Sequence, residues 1–237
     1  MTYKKTKEKQ SVVETTYTDD KTKKYYAWRA SNYDALADWE IAPHDEAVRI
    51  TDAKPGQHIL IAACGTGRGM EALAGAVGPE GKIDAIDISE EMIDQARNKA
   101  EKLGIKDRIH FTQANVRHLP YPDETFDIVY NGYMFDLIEL AGFMPILKEM
   151  MRVLKPGGRI VLLNMSKLDE RKTFYETFYK WTGIPCRPVL MAPYLEKLGF
   201  KDVKRIYREL HPKNFYELVI SKLWGQEIVT ARKSEKS

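Results

Sequence analysis

Only two of the 237 residues are cysteine, Cys64 and Cys186. Two are too few for a disulfide scaffold, and their surroundings hold no zinc-site pattern of Cys and His. No stretch approaches the roughly 18 consecutive apolar residues of a membrane-spanning helix. The opening MTYKKTKEKQ leads into polar residues rather than the apolar core of a secretory leader. No internal repeat is evident, which argues against a solenoid. An excess of one charge is also missing, with 37 Lys and Arg against 34 Asp and Glu. The surplus sits in residues 1–24, where seven Lys meet four acids (Glu8, Glu14, Asp19, Asp20). The rest is neutral on balance and offers no footprint for nucleic acid. The expectation is a reduced, cytoplasmic, soluble protein without nucleic-acid partners.

What is present is an ordinary globular composition, 43% hydrophobic and 30% charged, in a chain long enough for one sizeable core. Residues 1–22 are polar and Lys/Thr-rich and are expected to form a flexible basic arm. Residues 23–54 have a helical pattern rich in aromatics (Tyr25, Tyr26, Trp28, Tyr33, Trp39), interrupted at Pro43, and are expected to form a helical cap.

From residue 55 the rhythm changes. Short apolar runs at 58–63, 82–86, 108–113, 126–131 and 159–164 predict buried strands. Helical stretches at 67–77, 89–103, 142–154, 169–182 and 191–198 follow them in turn. Ser89 caps the second of these, with Glu90 and Glu91 in its first turn. The alternation predicts an open, doubly wound, mostly parallel α/β sheet. Two β runs at 201–209 and 214–221, joined through His211-Pro212-Lys213, predict an antiparallel edge. The domain is thus expected over 55–225, with a flexible tail at 226–237.

The strongest chemical signal is Cys64-Gly65-Thr66-Gly67-Arg68-Gly69, directly after the first strand. Glycines there let backbone approach a ligand, and the following helix presents free amides. Asp87 ends the second strand about 20 residues on, where a ribose-binding acid sits in such sheets. The bland alternatives are a sterically tight turn and a helix N-terminal acid. The dinucleotide fingerprint G-x-G-x-x-G is incomplete, because its last position is Met70. There is no phosphate-binding P-loop.

The motifs ACGTGRG, IDAIDISEEM, QANVRHLPYPDETFDIVY and MRVLKPGGRIVLLNMSK, in that order, resemble those of class I S-adenosylmethionine-dependent methyltransferases. The closest resemblance is to the ubiquinone/menaquinone C-methyltransferase-like subgroup. It covers roughly 55–165 and continues through APYLEKLGFKDVKRIYRE. It implies a Rossmann-like, seven-stranded sheet with S-adenosyl-L-methionine as cofactor. It further implies that Ala63, Gly65 and Gly67 lie against the methionine part and that Asp87 takes the ribose hydroxyls. Ile88 and Met92 would flank the adenine, Asn115 and Val116 would hold its amino edge and face, Asn131 would approach the methionine end, and Tyr33 would cover the cofactor. The chain departs from the pattern at three positions: Ile61 replaces an acid, Ala63 the first glycine, and Asn115 an acid.

Methyl transfer is an in-line displacement that needs alignment and exclusion of water rather than a metal. For a general base, if the acceptor needs one, Asp136 and Tyr133 follow the fourth strand. Asp136 is better placed as a helix N-cap. Asn164, at the end of the fifth strand, can orient an acceptor. Phe174, Phe178 and Trp181 share one helical face, readable as core packing, as a lid on an apolar acceptor such as a quinone or lipid, or as a peripheral membrane contact beside Arg171, Lys172 and Lys180. The expected function is methylation of a small or lipid-like acceptor. The alternatives are an NAD-dependent oxidoreductase and a non-catalytic nucleoside-binding sensor or subunit.

Overall fold

The computed structural model describes residues 12–209 and 225–235. Its strands are β1 (His58–Ala62), β2 (Lys82–Asp87), β3 (Ile109–Gln113), β4 (Phe126–Gly132), β5 (Leu154–Ser166), β6 (Lys201–Arg208) and β7 (Gly225–Arg232). They form one sheet in the order β3-β2-β1-β4-β5-β7-β6. The first five pair in parallel, and β7 runs antiparallel between β5 and β6. Strand order reverses between β1 and β4, which opens a crevice at the carboxyl ends of those strands.

The helices are α1 (Asp19–Arg29), α2 (Tyr33–Leu36), α3 (Ile41–Thr51), α4 (Met70–Val77), α5 (Glu90–Lys102), α6 (Leu140–Val153), α7 (Phe174–Thr182) and α8 (Ala192–Leu198). Leu60, Ala62, Val129, Leu162 and Val229 pack with α6 and α8 on one face of the sheet. Ile59, Ile61, Ala85, Tyr130 and Val161 pack with α3, α4 and α5 on the other. Helix α5 shows the local logic. Ser89 Oγ accepts from the Met92 amide at 3.3 Å, and Met92, Ile93, Ala96 and Ala100 form its buried stripe.

Four expectations change. Pro43 does not separate two helices; it lies in the first turn of α3, where its missing N–H costs nothing. Residues 12–22 are not a free arm. Val12 is buried, Glu14 accepts from the Leu140 amide at 3.0 Å, and Asp19 binds Arg117. The last strand lies at Gly225–Arg232, all but its first residue within the stretch read as a tail, because its successive residues Ile228 and Val229 complete opposite faces of the core. The β run read at 214–221 and the link His211-Pro212-Lys213 lie outside the described residues, so β6 and β7 are not joined by a three-residue turn.

Candidate active site

The chain leaves β1 through a left-handed turn. Ala63 has φ 57°, Gly65 53°, Gly67 82° and Gly69 74°. A Cβ on Gly65 would meet nothing within 4 Å, because that position faces a cavity. A Cβ on Gly67 would lie 3.0 Å from Met70 Cε and 3.3 Å from Ala96 Cβ. Gly67 therefore lets α4 and α5 pack closely and does not line the cavity. Ala63 holds the same hand with a methyl group, at a cost of roughly 1–2 kcal/mol.

The cavity encloses about 990 Å³, counting the part open to solvent. It lies at the carboxyl ends of β1, β2 and β4. Asp87 lines it and is buried. Its Oδ2 accepts from the Gly65 amide at 2.8 Å and its Oδ1 from the Ser89 amide at 3.0 Å. Burial pushes this carboxyl up against the lowering effect of those amides. Each oxygen keeps a lone pair for a further donor. Ile88, Met92 and Val116 supply apolar lining, and Asn115 stands beside them.

Asn115 is held through both ends of its amide, with one lone pair left on its oxygen. Its Oδ1 accepts from the Arg117 amide at 3.0 Å and its Nδ2 donates to Asp19 Oδ2 at 3.1 Å. The carboxylate in this corner belongs to Asp19 of α1, which takes two bonds from Arg117 at 2.9 Å. The Arg117 guanidinium holds Asp19 below the usual carboxylate range despite partial burial.

The opposite wall is the helical cap. Tyr26, Tyr33, Glu40 and His44 line the cavity from α1, α2, α3 and the turn before α3. Asp34 ties α2 to the glycine loop and α5, accepting from Thr66 Oγ1 at 2.6 Å and Lys99 Nζ at 2.5 Å. His44 Nδ1 is 2.6 Å from the Tyr130 hydroxyl. Burial pushes His44 down to about 3, so its ring is neutral. Its Cε1 would lie 2.5 Å from a Cβ on Gly132, which is why β4 needs glycine there. Burial also pushes the Glu40 carboxyl up to about 8.

Tyr133 lines the cavity between Trp39 and His44, with ring centroids 5.4 and 5.5 Å away. Its buried hydroxyl has no hydrogen-bond partner among the described residues, and burial raises it far above the ordinary phenol range. Asp136 caps no helix and does not line the cavity. It is fully buried behind the lining, with neither carboxyl oxygen hydrogen-bonded among the described residues, and burial pushes it up to about 7. Its negative charge reaches Tyr133, Tyr26 and Tyr33.

Several expected site residues fall elsewhere. Asn131 points to the far face of β4 and donates to the Ala62 carbonyl at 2.6 Å, leaving the cavity face to Tyr130 and Gly132. Asn164 is buried outside the lining. Phe174, Phe178 and Trp181 turn outward, with Trp181 89% exposed, because α7 buries its other face. There Glu176 pairs with Lys167 Nζ at 2.7 and 3.0 Å, and Tyr179 donates to the Pro185 carbonyl at 2.6 Å. The structure brings Tyr33, Ala63, Gly65, Asp87, Ile88, Met92, Asn115, Val116 and Tyr133 to one cavity.

Arg68, within the glycine motif but given no role there, also lines it, as do Glu40, His44 and Asp19, which nothing in the motif spacing marks. For Glu40 and His44 the only signal was indirect: an acid and a histidine directly flanking Ile41–Pro43 within an aromatic-rich cap.

A sequence model of the ubiE/COQ5 methyltransferase family matches residues 15–204. Demethylmenaquinone methyltransferases of Bacillus mycoides (strain KBAB4) and Bacillus cereus (strain AH187) are each 43% identical over 122 residues, covering 52% of this chain and 50% of each relative. The chain thus spans about half the length of the curated relatives it matches. A SAM dependent methyltransferase from Aquifex aeolicus superposes with TM-score 0.64 at 23% identity, covering 87% of this chain and 97% of the other. The [4+2]-cyclase SpnF gives 0.70 at 19%, covering 94% and 99%. Geranyl diphosphate C-methyltransferase from Streptomyces coelicolor A3(2) gives 0.65 at 16%, covering 82% and 79%. At such identities the likeness concerns the fold.

Proposed function

The chain belongs to the ubiE/COQ5 methyltransferase family, and on that premise we propose that it moves a methyl group from S-adenosylmethionine to a quinone-like or other lipid-like acceptor. The observation that carries the donor reading is the cavity at the strand-order reversal. Asp87 keeps two acceptor sites there, Gly65 leaves open space, and Ile88 and Met92 offer apolar walls to a base. These residues fit an adenosine with a free ribose diol. The oxidoreductase alternative has no support in the family or in the structures above.

When bound, the donor's sulfonium supplies an electrophilic methyl: one bond forms to the acceptor atom, the S–C pair returns to a neutral thioether, and the acceptor has one proton to lose. The chain's own work is alignment and exclusion of water. Tyr133, kept a neutral phenol, presents its unpartnered hydroxyl to the acceptor. Asp136 lies behind that wall, outside hydrogen-bond reach of the cavity, and acts on the acceptor only through its charge on Tyr133. An apolar acceptor is supported by Met134, Leu137 and Ile138 in the lining and by the names of the curated relatives.

The test is calorimetric titration with S-adenosylmethionine, with NAD as control ligand. The wild type should bind only the former. Asp87→Ala should weaken binding about 100-fold, the loss of two hydrogen bonds to a charged group. Absence of wild-type binding would overturn the reading.

We also propose that α7 rests on a lipid surface where such an acceptor is met. No helix among the described residues is long and apolar enough to cross a membrane. Phe174, Phe178 and Trp181 nevertheless stand exposed on one face, beside exposed Arg171, Lys172 and Lys180. Aromatic insertion flanked by cations suits anionic lipid. Co-sedimentation with phosphatidylglycerol vesicles should be lost in a Phe174→Ser, Trp181→Ser double variant. Equal sedimentation of both would sink the idea.

A further inference from the structure

The ligand proposed above has an amino-acid end with an ammonium and a carboxylate, and the cavity must meet both. The strand end nearest the loop offers nothing polar for them, because Ile61 lies there. Four formally charged side chains line the cavity: Asp19, Glu40, Arg68 and Asp87. Asp19 is committed to Arg117 and Asn115, and Asp87 sits at the ribose position. Glu40 and Arg68 remain, held to each other at 3.4 Å, with Asp34 Oδ1 also 3.5 Å from Arg68 Nη2.

Their arrangement is incomplete. Glu40 Oε1 accepts from the Tyr33 hydroxyl at 2.8 Å. Its Oε2 is 3.4 Å from Arg68 Nε, yet that Nε makes no hydrogen bond among the described residues. Both side chains are more than nine-tenths buried, at 6% and 9% exposure. Arg68 Nη2 donates to the Asp34 carbonyl at 3.0 Å, and the guanidinium lies 5.9 Å from the centre of the Tyr33 ring. A buried guanidinium N–H without an acceptor is costly, and burial keeps the Glu40 carboxyl protonated until a cation meets it. A ligand carrying one charge of each sign satisfies both groups at once.

Resting on the donor reading above, we propose that Glu40 and Arg68 form the subsite for the zwitterionic amino-acid end of the methyl donor, Glu40 taking the ammonium and Arg68 the carboxylate. Tyr33 holds Glu40 in place, and the subsite is complete only when the cap is seated on the glycine loop. The surroundings agree. Burial raises Glu40, outweighing Tyr33 and Arg68, and the carboxylates of Asp136 and Asp34 add to the rise. Of the other titratable groups nearby, His44, Tyr130 and Tyr133 are neutral, and Lys99, the further cation felt at His44, is taken up by Asp34 at 2.5 Å.

The test compares two ligands by calorimetry on the full chain. S-adenosylhomocysteine carries the amino-acid end. 5′-Methylthioadenosine is the same nucleoside thioether without it. Wild type should bind the first about 100-fold more tightly, as expected for two charge-assisted contacts. Glu40→Gln and Arg68→Met should each narrow that ratio at least tenfold and leave the Kd for methylthioadenosine unchanged, which also shows that the variants are folded. Asp87→Ala should weaken both ligands alike. If both ligands bind and neither variant changes the ratio, or if either variant weakens the two equally, the subsite is wrong while the donor reading stands. If wild type binds neither ligand, the donor reading falls and takes the subsite with it.

Discussion

The sheet side and the cap side of the cavity are held in different ways. On the sheet side, backbone does the positioning. The Gly65 and Ser89 amides fix Asp87, the Cys64 amide donates to the Ile86 carbonyl at 2.8 Å, and parallel ladders set every strand end. On the cap side, α1 to α3 are short and are held by side chains: Asp34 to Thr66 and Lys99, Asp19 to Arg117, His44 to Tyr130. Helices this short do not stand alone in water. The contrast teaches that the proposed nucleoside site is built into the sheet, whereas the polar groups proposed to meet the donor's other end depend on the cap being docked. Separable removal of such tertiary contacts is what lets a lid open without unfolding the domain.

Three substitutions or conditions would break or sharpen that contrast. The largest effect is expected from Gly132→Ala, whose methyl would collide with the His44 ring and push the cap off the sheet. It should cost about 1–3 kcal/mol in urea unfolding and expose α1–α3 to proteolysis before the rest of the chain. Unchanged proteolysis would mean that the His44 contact does not hold the cap.

The second concerns pH. Glu40 rises from 4.5 to about 8 and Asp136 from 3.8 to about 7. The folded protein thus keeps protons that the unfolded chain has released, and stability falls as pH rises from about 4 to about 8. Glu40→Gln removes its share. The variant's Tm should gain on wild type by about 4 °C between pH 5 and pH 8, a shift of about 1–2 kcal/mol. A constant difference across that range would mean that Glu40 is not desolvated by the cap. The smallest effect belongs to the sheet side. Ala63→Gly relieves a left-handed residue but frees the unfolded chain, for a net gain of about 0.5 kcal/mol in thermal denaturation. A loss would show that the methyl packs favourably enough to offset the backbone.

Much of the sheet side was legible in the sequence. The loop after β1 and the acid ending β2 stand at a fixed spacing because one parallel pair places them together, so Asp87 and Gly65 were found. Asn131 was misplaced by one residue. In a strand buried on both faces no alternation shows which residues face the cavity, and a shift of one reverses every side chain. Phe174, Phe178 and Trp181 were correctly placed on one face of a helix. Which face turns inward was settled by the Glu176–Lys167 pair, a contact that periodicity does not report. Asp19, at the edge of a polar arm, looked like a solvated charge until Arg117, 98 residues away, was brought to it.

The sequence by itself determined the order of elements, the parallel sheet and the glycine loop at the cavity, because these follow from local hydrophobic rhythm and from glycines that permit a left-handed backbone. Only the tertiary structure decided which charged groups close the cavity. Asp19 and Glu40 come from cap segments that carry no signal of their own, and docking of the cap on the sheet is what brings them to Arg68 of the glycine loop and turns ordinary side chains into a site.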